Sequence, residues 1–103
     1  MDSERRQFAD FLRDARLRCH LTQMEAGRRL GYRNGQFISN MERACCLPPL
    51  KKMKRFVALY GLERDEVYYL LSRLRDRELR AGLGIARKHA MPVSLSRQNP
   101  NLY

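Results

Sequence analysis

Residues 22–43, TQMEAGRRLGYRNGQFISNMER, decide the fold. Thr22 is a good helix N-cap, and Glu25 three residues later completes a capping box. The helix that opens there has a small inward face of Ala26, Gly27 and Leu30. Gly31 ends it after about two turns. Tyr32-Arg33-Asn34-Gly35 is a turn by its Asn-Gly pair. A second helix then runs from about Gly35 or Gln36 to Arg43. It turns Phe37, Ile38 and Met41 inward and leaves Gln36, Ser39, Asn40 and Arg43 on the opposite, polar side.

The flanking sequence supplies further helices. Upstream, Phe8, Phe11, Leu12 and Ala15 recur at helical spacing, with Arg13, Asp14, Arg16 and Arg18 between them. Asp2 or Ser3 is expected to cap that helix, which should stop near Cys19 and His20. Downstream, Pro49 holds Pro48 extended, so residues 45–49 are a loop. Pro49 suits the first turn of a fourth helix, whose apolar residues are Leu50, Met53, Phe56, Val57 and Tyr60. Gly61 stops it. A fifth helix starts near Glu63, with Asp65 and Glu66 at its positive end. It buries Val67, Leu70, Leu71 and Leu74 and continues to about Leu79. After Ala81-Gly82-Leu83-Gly84 the periodicity fails. The expectation is an all-α, five-helix domain over residues 1–80 and a basic tail over 81–103.

Composition narrows the function classes. The chain has 103 residues, 44% hydrophobic and 31% charged, enough for one small core and little room for an enclosed active site. A formal charge of +10 favours a polyanionic partner. Half of that excess lies in residues 72–103, which hold seven Lys and Arg against two Asp and Glu. No apolar run is long enough to span a bilayer. The opening MDSERRQFAD is charged and carries no apolar h-region, so no secretory signal is read and the cytoplasm is the expected compartment. Cys19, Cys45 and Cys46 are odd in number and without CxxC spacing. They fit reduced thiols better than a disulfide framework or a zinc site. No nucleophile–base pairing, metal set or phosphate-binding glycine loop is present, so neither an enzyme nor a cofactor is expected.

Two short helices joined by a tight glycine-containing turn, with helices on either side, describe a helix-turn-helix. The segments Thr22 to Gly31 and Phe37 to Arg43 resemble the Cro/C1-type (XRE) helix-turn-helix family, whose fold is lambda repressor-like. Leu12 to Arg16 and Leu50 to Leu71 also fit that five-helix pattern, so the resemblance covers about residues 5–71. Three positions depart from it. The turn 32–35 is one residue longer than the commonest form. Gly27 replaces the usual Ala, which looks sterically harmless and costs about 1 kcal/mol of helix propensity. Ala44 replaces the Gly that usually follows Glu-Arg.

The resemblance implies a DNA-binding transcriptional regulator, a repressor or autoregulator. The second helix of the pair would enter the major groove of a double-stranded operator. Gln23, Arg33, Asn34, Gln36, Ser39, Asn40 and Arg43 are the candidates for contacts to bases and phosphates. Lys51 and Lys52, at the start of helix four, are candidates for the phosphate backbone. Arg16 and Glu42 are expected to form a structural ion pair that fixes the angle of the groove helix. A homodimer on an inverted repeat is implied, with Val67, Leu70, Leu71 and Leu74 as the candidate dimer surface. Tyr68 and Tyr69 are read as core or dimer contacts. Two other readings stand beside this one. The same fold serves antitoxins that bind a partner protein, and the basic tail suits RNA.

Overall fold

Among the described residues, 3–85, the computed structural model contains five α-helices, one 3₁₀ turn and no strand. The helices are α1 (Ser3–Arg18), α2 (Gln23–Arg29), α3 (Gln36–Glu42), α4 (Met53–Tyr60) and α5 (Arg64–Leu83), with the 3₁₀ turn at Leu50–Lys52 leading into α4. Of the two candidate caps of α1, Asp2 lies outside the described residues, as do residues 86–103 of the expected tail. The capping box at α2 forms as the sequence requires. Glu25 N–H donates to Thr22 Oγ1 at 3.0 Å, and Thr22 N–H donates to Glu25 Oε1 at 2.8 Å. Helix α5 runs one turn beyond Leu79, so Ala81 to Leu83, expected in the tail, complete the helix.

All five helices end in the same way. His20, Gly31, Ala44, Gly61 and Gly84 adopt positive φ just past each helix. The following N–H reaches back five residues: Leu21 to Arg16, Tyr32 to Gly27, Cys45 to Asn40, Leu62 to Val57 and Ile85 to Arg80. Three of the five positions are glycine, the residue that adopts this geometry without strain. His20 at φ 58 and Ala44 at φ 63 are not, and the Ala44 departure noted above is therefore a strained C-terminus of α3.

One core joins the helices. Phe8, Leu12 and Ala15 of α1 meet Ala26 of α2 and the following Leu30, Ile38 and Met41 of α3, Phe56 and Tyr60 of α4, and Leu71 and Leu74 of α5. Phe56 and Tyr60 pack edge to face at 5.6 Å between centroids. Val67 is also buried, at 4% exposure, and Leu74 is completely enclosed. Of the expected dimer surface, Val67, Leu71 and Leu74 are buried within the chain and Leu70 is half-buried against its core. Spacing at i, i+4 and i+7 marks an inward face without saying whose interior it faces. Tyr68 and Tyr69 are not core residues, at 75% and 58% exposure. Ion pairs join the ends of α1 and α5. Glu4 accepts from Arg73 at 2.9 Å and Arg77 at 3.3 Å, and Arg5 donates to Glu78 at 2.8 Å.

Candidate nucleic-acid interface

Helix α3 is seven residues long, too short to be stable alone. Its pose is set by the groups around it. Ile38 and Met41 anchor its inner face in the core. At its start, Asn34 Oδ1 accepts the Gln36 N–H at 2.9 Å, a local turn that satisfies one of the helix's open donors. At its end, Arg6 of α1 donates to the Glu42 carbonyl and Arg5 donates to the Ala44 carbonyl at 3.1 Å. Both arginines answer carbonyls that the helix leaves open. Sequence reasoning missed them, because nothing local links residues 5 and 6 to a helix end nearly forty positions away.

The centre of the brace is the pair expected from the sequence. Arg16 Nε donates to Glu42 Oε2 at 2.6 Å and Nη2 donates to Oε1 at 2.8 Å, a two-pronged contact with both side chains almost wholly buried. Arg16 Nη1 also donates to the Leu21 carbonyl at 2.7 Å. The hydrogen bond to Glu42 raises the Arg16 pKa, against the opposing effect of burial. Gln23 joins this network, its Nε2 donating to Glu42 Oε1 at 3.1 Å. The start of α2, the end of α1 and the end of α3 thus share one carboxylate. Tyr60 packs nearby, and burial, reinforced by the Glu42 charge, holds its phenol protonated far above neutral pH.

The turn between α2 and α3 lies directly on α2. A Cβ on Gly27 would stand 2.1 Å from the Asn34 carbonyl oxygen, and a Cβ on Gly35 would stand 2.7 Å from the Gln23 carbonyl carbon. Gly27 is therefore not a harmless replacement for Ala. It makes the space that the turn occupies. Tyr32 packs tilted against Phe37 with ring centroids 4.7 Å apart, and its hydroxyl is buried with no hydrogen-bond partner among the described residues.

The Lys52 ammonium, a candidate for the phosphate backbone, is engaged within the chain. Its Nζ donates to the Leu30 carbonyl at 2.6 Å and sits 4.6 Å from the Tyr32 ring centroid. It closes the end of α2, a role that the basic run 51–55 did not signal. Lys51, Lys54 and Arg55 remain exposed on α4 and the turn before it.

The outer edge of α3 carries the remaining candidates. Gln36 Nε2 donates to Asn40 Oδ1 at 3.0 Å, and Arg43 Nη2 donates to the same oxygen at 2.6 Å. Arg33 and Asn34 are exposed beside the start of the helix, and Ser39 is half-buried. Between Ala26 and Leu62 stand eight Lys and Arg and one carboxylate, that of Glu42. Because Glu42 is buried against Arg16, this whole stretch shows no negative charge at the surface. Glu25 is exposed in the first turn of α2, and beyond it the outer side of α2, the turn, α3 and the start of α4 carries only positive charge, with hydrogen-bonding side chains along α3.

Among the described residues no helix is long and apolar enough to cross a membrane. No curated protein and no solved structure shows significant similarity to the chain. The family model described as a helix-turn-helix domain matches residues 7–70, from the second turn of α1 to the second turn of α5, and so takes in every element of the brace around α3 except Arg5 and Arg6. The all-α fold, the capped α2–turn–α3 unit and this match agree with the five-helix arrangement of the Cro/C1 type, and the chain belongs to the helix-turn-helix domain family.

Proposed function

We propose that the protein is a sequence-specific, double-stranded DNA-binding transcriptional regulator, a repressor that acts on its own promoter. The observation that carries this reading is the outer edge of α3. Gln36, Asn40 and Arg43 stand in register on a helix whose pose is fixed at both ends and in the middle. A major groove about 12 Å wide accepts one such helix. Gln36, Asn40 and Arg43, with Arg33 and Ser39, face the base edges. Lys51, with Arg28 and Arg29 on α2, supplies phosphate contacts that position the domain without sequence preference. Gln23, Asn34 and Lys52 act chiefly by holding α2 and α3.

A seven-residue helix reads only a few base pairs, so a useful operator needs two of them, related by a two-fold axis. We place the second copy on the apolar groove between α4 and α5, lined by Leu50, Met53, Val57, Val67, Tyr68 and Leu71. Leu50 and Tyr68 at its rim are 70% and 75% exposed, which a soluble monomer gains nothing by displaying.

Binding to the DNA upstream of the protein's own gene, compared with random duplex of equal length across a salt series, tests the reading. A footprint over an inverted repeat that survives at salt releasing random DNA supports it. Equal affinities lost together as salt rises would leave only the +10 charge as the cause of binding. Sedimentation of the wild type against Tyr68→Glu tests the dimer.

A further inference from the structure

The hydrogen bonds along α3 restrict what each side chain can offer a base. An amide oxygen has two lone pairs. Asn40 Oδ1 spends one on Gln36 Nε2 and the other on Arg43 Nη2. The direction of these bonds is set by charge. Were the Asn40 amide turned over, its NH₂ would face the Arg43 guanidinium, donor against donor. Arg43 thus orients Asn40, and Asn40 in turn requires the Nε2 of Gln36 to point toward it.

Pairing with adenine in the major groove needs one acceptor and one donor from the same amide, for N6–H₂ and N7. Asn40 has donors left and no acceptor. Gln36 keeps its Oε1 and one N–H, a complete adenine-reading edge. Arg43 keeps four of its five N–H donors.

We propose, resting on the DNA-binding reading above, that Asn40 reads guanine instead of adenine, as a donor to O6 and N7, and that Arg43 sets this preference by saturating the Asn40 oxygen. The operator half-site then carries a base whose major-groove edge holds only acceptors at the Asn40 position, with adenine the favoured base at Gln36. Arg43 is a specificity-determining residue even where it also touches the backbone.

The test is selection from a randomised duplex pool by the wild type, Asn40→Asp and Arg43→Ala, with thermal midpoints of all three compared. Asn40→Asp keeps both acceptor contacts and loses the donors. It should exchange guanine for cytosine, whose N4 is a donor, at one position by about tenfold. That change marks the base that Asn40 reads. Arg43→Ala frees a lone pair on Asn40 and should raise adenine at the same position. Adenine selected there by the wild type overturns the proposal, and so does an Arg43→Ala protein weakened equally on every sequence. A wild type that enriches no sequence at all removes the DNA-reading function itself, an outcome distinct from either of these.

Discussion

Replacing Gly27 with alanine sets two physical expectations against each other. Helix propensity alone predicts a gain of about 1 kcal/mol, since alanine is the best helix former and glycine among the poorest. The structure predicts a loss. The new Cβ would stand 2.1 Å from the Asn34 carbonyl oxygen and 2.9 Å from its carbon. A comfortable carbon–oxygen contact is about 3.3 Å, so the turn must retreat by about 1 Å. The turn is held by the Asn34–Gln36 bond, the Tyr32–Phe37 ring contact and Lys52 over the Tyr32 ring. Overpacking of this kind costs about 1–3 kcal/mol, leaving a net loss of up to about 2 kcal/mol. For a domain of this size that lowers the thermal midpoint by up to about 15 °C. Gly82→Ala is the control, because no atom lies within 4 Å of a Cβ there and the backbone is helical. It should raise the midpoint by a few degrees. Calorimetry on both variants decides the matter. If Gly27→Ala gains stability as Gly82→Ala does, the turn does not rest on α2 as described.

Ala44→Gly should stabilise the fold by about 0.5–1 kcal/mol, because it removes a left-handed alanine while keeping the carbonyl that Arg5 holds. Urea titration would show the midpoint rising at constant slope. Glu42→Gln should cost about 3–5 kcal/mol, because Arg16 is left as a buried charge without its counter-ion, whereas replacing Arg16 and Glu42 together by apolar residues should cost less than either single change. Lys51→Ala should weaken operator and random DNA alike and reduce the salt slope by about 1. Lys52→Ala should instead lower the thermal midpoint, by opening the end of α2. Glu25 accepts from Thr22, whose hydrogen bonds hold its carboxyl below the usual carboxylate range. A lowered folded pKa adds stability above the ordinary glutamate value and loses it as pH falls through the folded value. The thermal midpoints of wild type and Glu25→Ala should therefore converge in strong acid.

Local chemistry made much of this legible from residues alone. Thr22 and Glu25 announce the start of α2, Gly31 and Gly61 announce two ends, and apolar spacing locates every helix. The Arg16–Glu42 pair came from family resemblance, and the geometry agrees with it. What stayed hidden depends on distance in space. Lys52 in a run of lysines carries no mark of the carbonyl it caps, and Arg5 and Arg6 carry none of α3. Val67, Leu71 and Leu74 have the pattern of a buried face, which fits a core and a dimer seam equally well. Gly27 was judged by its own helix, although its neighbour across the turn decides what fits there. The longer turn and the missing Cβ were noted as separate departures, and in three dimensions they are one adjustment.

The same geometry bears on how variants of this protein should be read. A helix of seven residues contributes little stability of its own, so the position of its outer edge is inherited from its supports. Those supports come from α1 through Arg5, Arg6 and Arg16, from α2 through Gln23, and from the turn through Asn34. A shift of about 1 Å at any of them moves Gln36, Asn40 and Arg43 together, beyond the tolerance of hydrogen bonds to base edges. Loss of DNA binding therefore does not by itself assign a residue to the interface. Interface residues change which sequence is preferred or how affinity depends on salt, whereas supports lower affinity for the operator while leaving both the preferred sequence and the affinity for random DNA nearly unchanged. Gln23 and Asn34, which have the residue types of base readers, are expected to behave as supports, because their side chains are bonded to Glu42 and to the start of α3. Gln23→Ala should reduce operator affinity without altering the sequence selected, and a changed preference would return it to the reading edge.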